Sequence, residues 1–215
     1  MPKKAPYGQY CPVARALDLV GDRWTLLIVR ELSIGPLRYG ALSKALPIST
    51  DVLAGRLRDL RSHGIVRSVE HGYELTDDGR SLAPVLRELG RWGARHLGAP
   101  PGTDQLRASH AVQMLVVAHA GNPQPVEAAV VVRSGELECT LVAGADGLIA
   151  RRGASPEVDA VVETDPATLW AVGSGRLAWD DAVCSGELHV AGDSEAARRL
   201  LAARLPQALL RSVGG

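Results

Sequence analysis

Apolar positions change their period along this chain, and the changes mark its elements. Val13, Ala16, Leu17 and Val20 recur at i, i+3, i+4 and i+7, which predicts a helix with a buried stripe, opened by Cys11-Pro12 and ended by Gly21. Trp24, Leu27, Ile28 and Leu32 repeat that spacing behind Asp22, a residue suited to an N-cap. Gly35-Pro36 predicts a turn, and a short helix follows over residues 38–45, with Leu42 and Leu46 inward and Pro47 ending it. Ser49 is expected to cap a helix running to His63, with Gly64 where a left-handed C-terminal cap is wanted. In that helix Leu53, Leu57 and Leu60 form the inward stripe. At about 100° per residue, Asp51, Gly55, Arg58 and Ser62 point roughly opposite, with Thr50, Ala54 and Arg61 on the flank. The period then drops to two over residues 65–69. His71-Gly72 reads as a two-residue turn, and residues 73–75 return. Thr76 opens a long helix to residue 97, with Leu82, Val85, Leu86, Leu89 and Trp92 or Gly93 on one side and a kink expected at Pro84.

Beyond Gly98-Ala99-Pro100-Pro101-Gly102, a semi-rigid spacer, the pattern is richer in strands. Residues 111–119 are an apolar run read as a strand. Further strands are expected over 126–133, 137–143, 148–151, 160–163 and 187–191, with turns at Ser134-Gly135 and Ala145-Asp146-Gly147. Asp165-Pro166 starts a helix to residue 172, residues 178–183 form a short one, and Ser194 caps a final helix through residue 204. Antiparallel strands followed by helices argue an α+β fold, not a doubly wound sheet.

Charge divides the chain at the same place. The formal net charge is zero, with 24 basic and 24 acidic side chains. Residues 1–99 hold 15 basic and 10 acidic groups, and residues 100–215 hold 9 and 14. A basic half and an acidic half point to two modules with different partners. Arg38, Lys44, Arg56, Arg58, Arg61 and Arg67 cluster in the first half. They either solvate helix faces or supply phosphate-facing charge. Helix, helix, short helix, turn, longer helix and hairpin is the order of a winged helix-turn-helix, whose second helix can enter a major groove about 12 Å wide.

The run from Cys11-Pro12-Val13 through Gly21-Asp22-Arg23-Trp24 to Arg30-Glu31-Leu32 resembles the opening of the HxlR-type bacterial transcription regulators. Gly35-Pro36-Leu37-Arg38-Tyr39, Leu46-Pro47-Ile48-Ser49, Leu53-Ala54-Gly55-Arg56-Leu57-Arg58-Asp59-Leu60 and Tyr73-Glu74-Leu75-Thr76 extend the likeness, which covers residues 8–97. The resemblance implies a homodimer on double-stranded operator DNA, with the first and last helices at the dimer interface and Tyr39 and the turn from Ser49 to Arg58 at the DNA. The expected DNA-binding set is Arg38, Tyr39, Lys44, Ser49, Thr50, Asp51, Ala54, Arg56, Arg58 and Arg61. The wing departs from the family, which usually carries several more residues there; contact is expected to fall mainly on the recognition helix. Cys11 precedes a helix start with Arg15 one turn on. It reads either as a structural residue or as a redox thiol of the kind some relatives use.

Residues 160–201, with Thr164-Asp165-Pro166-Ala167-Thr168-Leu169-Trp170 and Ser185-Gly186-Glu187-Leu188-His189, are similar to the sterol-carrier-protein-like fold, an open sheet with helices over an apolar cavity. This implies a site for an apolar small molecule. Leu115, Val117, Leu169, Trp170, Leu177 and Trp179 are its candidate lining, unless they are simply core. The expected domains are 1–97, a winged helix-turn-helix for DNA binding and dimerisation, and 103–215, a sterol-carrier-like α+β module, joined by the linker 98–102.

Three scattered cysteines and six scattered histidines give no metal-ligand spacing, and no nucleophile elbow, P-loop or zincin motif occurs. No catalytic residue, metal or cofactor is expected. The N-terminus lacks an apolar signal core and no run reaches the length of a membrane span, so a cytoplasmic protein without membrane contact is expected. The reading is a DNA-binding transcription regulator. The alternatives are a thiol redox-sensing regulator acting through Cys11, and a ligand carrier or scaffold that uses the winged helix for protein contact.

Overall fold

The structure, a computed structural model, describes residues 5–97, 106–119, 127–144 and 147–202. They form two compact units that divide between Ala83 and Pro84. The linker 98–102, Val126, the Ala145-Asp146 turn and the end of the last helix lie outside the described residues.

The first unit is helical with a small hairpin. Its helices are α1 (Pro12–Val20), α2 (Thr25–Ser33), α3 (Tyr39–Ala45), α4 (Thr50–Ser62) and α5 (Asp77–Arg80). Strands β1 (Val66–Val69) and β2 (Gly72–Leu75) pair antiparallel between α4 and α5. Ile28, Val29 and Leu32 of α2, Leu42 of α3, and Leu53, Leu57 and Leu60 of α4 are buried together with Ile65, Val66 and Leu75. Leu37 exchanges both backbone hydrogen bonds with Tyr73, at 3.0 and 2.9 Å, so the chain before α3 forms a third rung beside the hairpin.

Three expectations change here. The α1 stripe is not interior: Val13 is 68% exposed and Leu17 45%, while Ala14 and Val20 face inward. The amphipathic face is real, but no described residue of the first unit buries it. The hairpin loop is Glu70-His71, one residue earlier than expected, because Gly72 already pairs with Val69. Its φ of +141° and the Leu37 carbonyl beside it leave no room for a β-carbon. Nor does one kinked helix run from residue 77 to 97. The break falls at Ser81-Leu82, before Pro84, which therefore sits in the first turn of α6 (Ala83–Ala94), where its missing N–H costs nothing. Val85, Leu89 and Trp92 lie along one exposed side of that helix.

The second unit carries a five-stranded mixed sheet in the order β5-β4-β3-β6-β7. Its strands are β3 (Ala128–Ser134), β4 (Leu137–Gly144), β5 (Gly147–Arg152), β6 (Ala160–Thr164) and β7 (Leu188–Gly192). Only β3 and β6 pair parallel, because residues 153–159 cross the sheet between β5 and β6. Thr140 holds that crossing: its hydroxyl donates to Gly153 O at 2.8 Å and accepts from Ser155 N at 2.9 Å. On the other face Val130, Val132, Cys139, Leu141, Leu148, Val162 and Leu188 are buried. Besides α6, the helices of this unit are α7 (Ala108–Ala118), α8 (Pro166–Gly173), α9 (Trp179–Cys184) and α10 (Ser194–Leu201); α10 packs on β3, β6 and β7, and α7 on β5 and α8.

Residues 111–118, read as strand, are thus helix, with His119 as its C-cap. A mostly apolar run has no clear period to separate the two, and the eleven residues of α7, bearing Ala, Gln, Met and Leu, favour helix by length and propensity. The Ser134-Gly135 turn shifts to Gly135-Glu136, since Ser134 pairs with Leu137. Asp193, not Ser194, caps α10, and Asp165 caps α8 by accepting from the amides of Ala167 and Thr168.

Candidate nucleic-acid interface

Helix α4 is placed by its leucines. With Leu53, Leu57 and Leu60 fixed inward, Thr50, Asp51, Arg58 and Arg61 are exposed on the far side and flank, and Ala54 is half-buried beside them. Ser49 holds the N-cap position in extended backbone, but its hydroxyl makes no cap bond, which leaves the first-turn amides without a side-chain cap among the described residues. Tyr39, at the start of α3, donates its phenol to Thr50 O at 2.8 Å and fixes the angle between the two helices of the turn. Arg38 and Lys44, at the two ends of α3, are exposed.

Arg58 and Arg61 open onto a cleft of about 610 Å³ that Ser62, Val66, Arg67 and Ser68 complete. Neither of the two arginines has a carboxylate within ion-pair range among the described residues. Arg67 does: its Nε donates to Glu74 Oε1 across the hairpin at 2.6 Å. Three guanidinium groups with only one countercharge make the cleft an anion-favouring surface. Ser68 escaped sequence reasoning. Its only signal is strand alternation beside Arg67, which a four-residue strand hardly displays.

Arg56 stands apart from the rest of the expected set. Its Nη1 lies 2.8 Å from Asp22 Oδ2 and 3.1 Å from Asp59 Oδ2, and its side chain is only 19% exposed. It does not open onto the cleft.

The candidate ligand lining is spread over three helices, α7, α8 and α9, and the chain between the last two. Leu115, Leu169 and Trp179 are core. Leu115 and Val117 belong to helix α7, not to a strand facing the helix pair: Leu115 lies against Gly173, and Val117 against Gly90 of α6. Trp170 is half-buried under the Arg176 guanidinium, 4.9 Å from its ring centroid, and Leu177 is half-buried.

Of the thiols, Cys11 is half-buried at the N-cap of α1, Cys184 is exposed, and Cys139 is buried in β4, where burial pushes its thiol up to about 12. Among the described residues no cluster of His, Cys, Asp or Glu could hold a metal, and no helix is long and apolar enough to cross a membrane.

Residues 19–100 match the family model of the HxlR-like helix-turn-helix. The uncharacterized HTH-type transcriptional regulator Rv3095 of Mycobacterium tuberculosis is 40% identical over 121 residues, which span 51% of this chain and 77% of that protein. YvaP of Bacillus subtilis, also named an HTH-type transcriptional regulator, is 38% identical over 93 residues, 39% of this chain and 86% of its own. Among solved structures, quinone-bound YodB from B. subtilis is 36% identical with a TM-score of 0.37, covering 39% of this chain and 97% of that one. The redox regulator HypR in its oxidized form is 31% identical with a TM-score of 0.36, covering 39% and 94%.

Proposed function

Since the chain belongs to the HxlR-like helix-turn-helix family of transcriptional regulators, a DNA-binding and regulatory protein rather than an enzyme, we propose that it binds double-stranded operator DNA as a homodimer in the cytoplasm. The observation that carries this reading is α4: leucines inward, uncapped first-turn amides, and exposed Thr50, Asp51, Arg58 and Arg61 on one side. Phosphates are drawn to free amides and the positive dipole end of a helix, and to unpaired guanidinium groups. Arg38, Tyr39, Lys44, Ser49 and Ala54 complete the proposed DNA surface; Tyr39 orients α4 through Thr50. The exposed apolar sides of α1 (Val13, Leu17) and of α6 (Val85, Leu89, Trp92) support dimerisation through these helices. The wing's short loop supports contact weighted toward α4.

Capture of source-genome fragments by the full chain, followed by titration against salt, tests this. Enrichment of discrete fragments whose affinity falls steeply with salt is the expected result. Salt-insensitive capture of protein instead of DNA would favour the scaffold reading.

For the signal, a thiol at Cys11 is the better supported reading. Cys11 stands half-buried at the start of α1, the helix proposed for the dimer, while Cys139 is held in its protonated, unreactive form. HypR carries the name of a redox regulator, and Cys11 is the residue through which such a role would reach this chain. Cys11→Ser should abolish any response of DNA binding to peroxide or quinone while leaving affinity of the reduced protein unchanged. An apolar ligand in a sterol-carrier-like second module is the lesser reading. It is supported by an open sheet on which α7 and α10 pack, and lining by Leu115, Val117, Leu169, Trp170, Leu177 and Trp179 would require these side chains to part.

A further inference from the structure

Arg56 is a recognition-helix arginine that turns away from the proposed DNA surface. At about 100° per residue it falls on the flank of α4 opposite to Thr50, Ala54 and Arg61. There it meets the turn between α1 and α2. Its Nη1 bridges Asp22 at 2.8 Å and Asp59 at 3.1 Å, and its Nε is buried without a partner. A guanidinium desolvated on one edge and paired on the other is anchored, because leaving its charge unpaired in that position is costly.

The other end of the bridge is equally defined. Asp22 accepts from Thr25 N through its carbonyl at 3.1 Å. Two residues later Trp24 adopts φ +79°, the only non-glycine residue with positive φ among those described. The Arg23 guanidinium lies 5.0 Å from the Trp24 ring centroid. A side-chain-bearing residue in the left-handed region persists only where its surroundings over-determine it. The α1–α2 turn is therefore a fixed point, and Asp22 projects from it to α4.

We propose that Asp22 and Arg56 are a positioning pair that sets the rotation of α4 about its axis, and with it the aim of Thr50, Asp51, Ala54 and Arg58. Arg56 acts through the helix and does not touch DNA. The pair also joins the α1–α2 turn to the recognition helix, so a shift of α1 that carries this rigid turn with it reaches the DNA surface through two side chains. The effect on DNA rests on the DNA-binding reading above.

The test uses the full chain, a duplex captured from the source genome, and a random-sequence duplex of equal length. Asp22→Asn and Arg56→Gln are each expected to lower affinity for the captured duplex about tenfold, while random-duplex affinity and the slope of log K against log salt stay unchanged. The reversed pair, Asp22→Arg with Arg56→Asp, restores most of the lost discrimination. Should Arg56→Gln weaken both duplexes alike and flatten the salt slope by about 0.9, Arg56 is a phosphate contact and the proposal fails. Hydrogen exchange of the α4 amides, read without DNA, must rise in both single variants and recover in the reversed pair; unchanged exchange in Asp22→Asn overturns the pair on its own. Arg56→Lys replaces Arg56→Gln if the latter does not fold. Wild-type protein that captures no duplex defeats the DNA-binding reading instead, before any variant is compared.

Discussion

Among the described residues Arg58 and Arg61 reach solvent with no carboxylate in ion-pair range, whereas Arg56, on the same helix, is held by two. Removing an unpaired guanidinium costs the folded state almost nothing and takes its whole effect from the DNA complex. Arg58→Ala should weaken operator binding severalfold or more, by ~1–3 kcal/mol if it reads a base edge, with little change in melting temperature. His71→Ala, at the exposed tip of the short hairpin, should change affinity little. A titration that reverses this ranking would move the contact to the wing. Thiol chemistry divides by burial in the same way. With its pKa near 12, Cys139 should resist alkylation at pH 8 in the native protein, while exposed Cys184 is labelled; peptide mass mapping distinguishes them. Asp165 supplies an acid limit. Burial opposes its charge, but the Thr168 hydroxyl and the amides of Thr168 and Ala167 outweigh it, holding the carboxyl below the usual carboxylate range. A depressed folded pKa means that this stabilisation is present above the ordinary Asp value of about 3.9 and is lost as pH falls through the folded value. Asp165→Ala should therefore cost about 1 kcal/mol at pH 7 and progressively less as the pH falls through the folded value, as read by urea unfolding.

Elements were legible where period and punctuation agreed. The inward stripe of α4, the left-handed Gly64 after it and the Asp-Pro start of α8 are all written locally, in residue types whose backbone preferences leave few choices. Two kinds of information were not local. The mostly apolar run of α7 has no clear period, so only its packing against α8 and β5 decides that it is a helix. The stripes of α1 and α6 have the right period and still face solvent, because period reports that a face wants cover and cannot say which chain covers it. The site followed the same divide. The sign and crowding of the arginines were plain from sequence, but which of them is tied down depends on Asp22, 34 positions away. Gly72 is the most exacting position of the hairpin: with φ +141° and the Leu37 carbonyl against it, Gly72→Ala should destabilise the first unit by about 1–3 kcal/mol. Differential scanning should show that unit melting earlier, with the second unit unmoved.

Across the whole molecule the zero net charge conceals a basic part that reads DNA and an acidic part that adjoins it in sequence. Residues 1–97 alone should bind random duplex more tightly than the full chain at low salt, provided that they still dimerise, because the acidic residues that repel the backbone are gone. Equal affinity would make the charge division incidental.

The crossing at residues 153–159 has a consequence in time. Because it lets β6 run parallel to β3, the centre of the sheet closes only after about thirty residues of intervening chain have been placed, from Val130 to Ala160. The first unit, made of neighbouring helices and one tight hairpin, asks for no such closure. A chain growing from its N-terminus would complete its DNA-reading unit while the sheet was still open, with the unpaired edge of β3 exposed to other nascent chains. Slow acquisition of the sheet, against fast acquisition of the helical unit, is the refolding behaviour that this topology imposes.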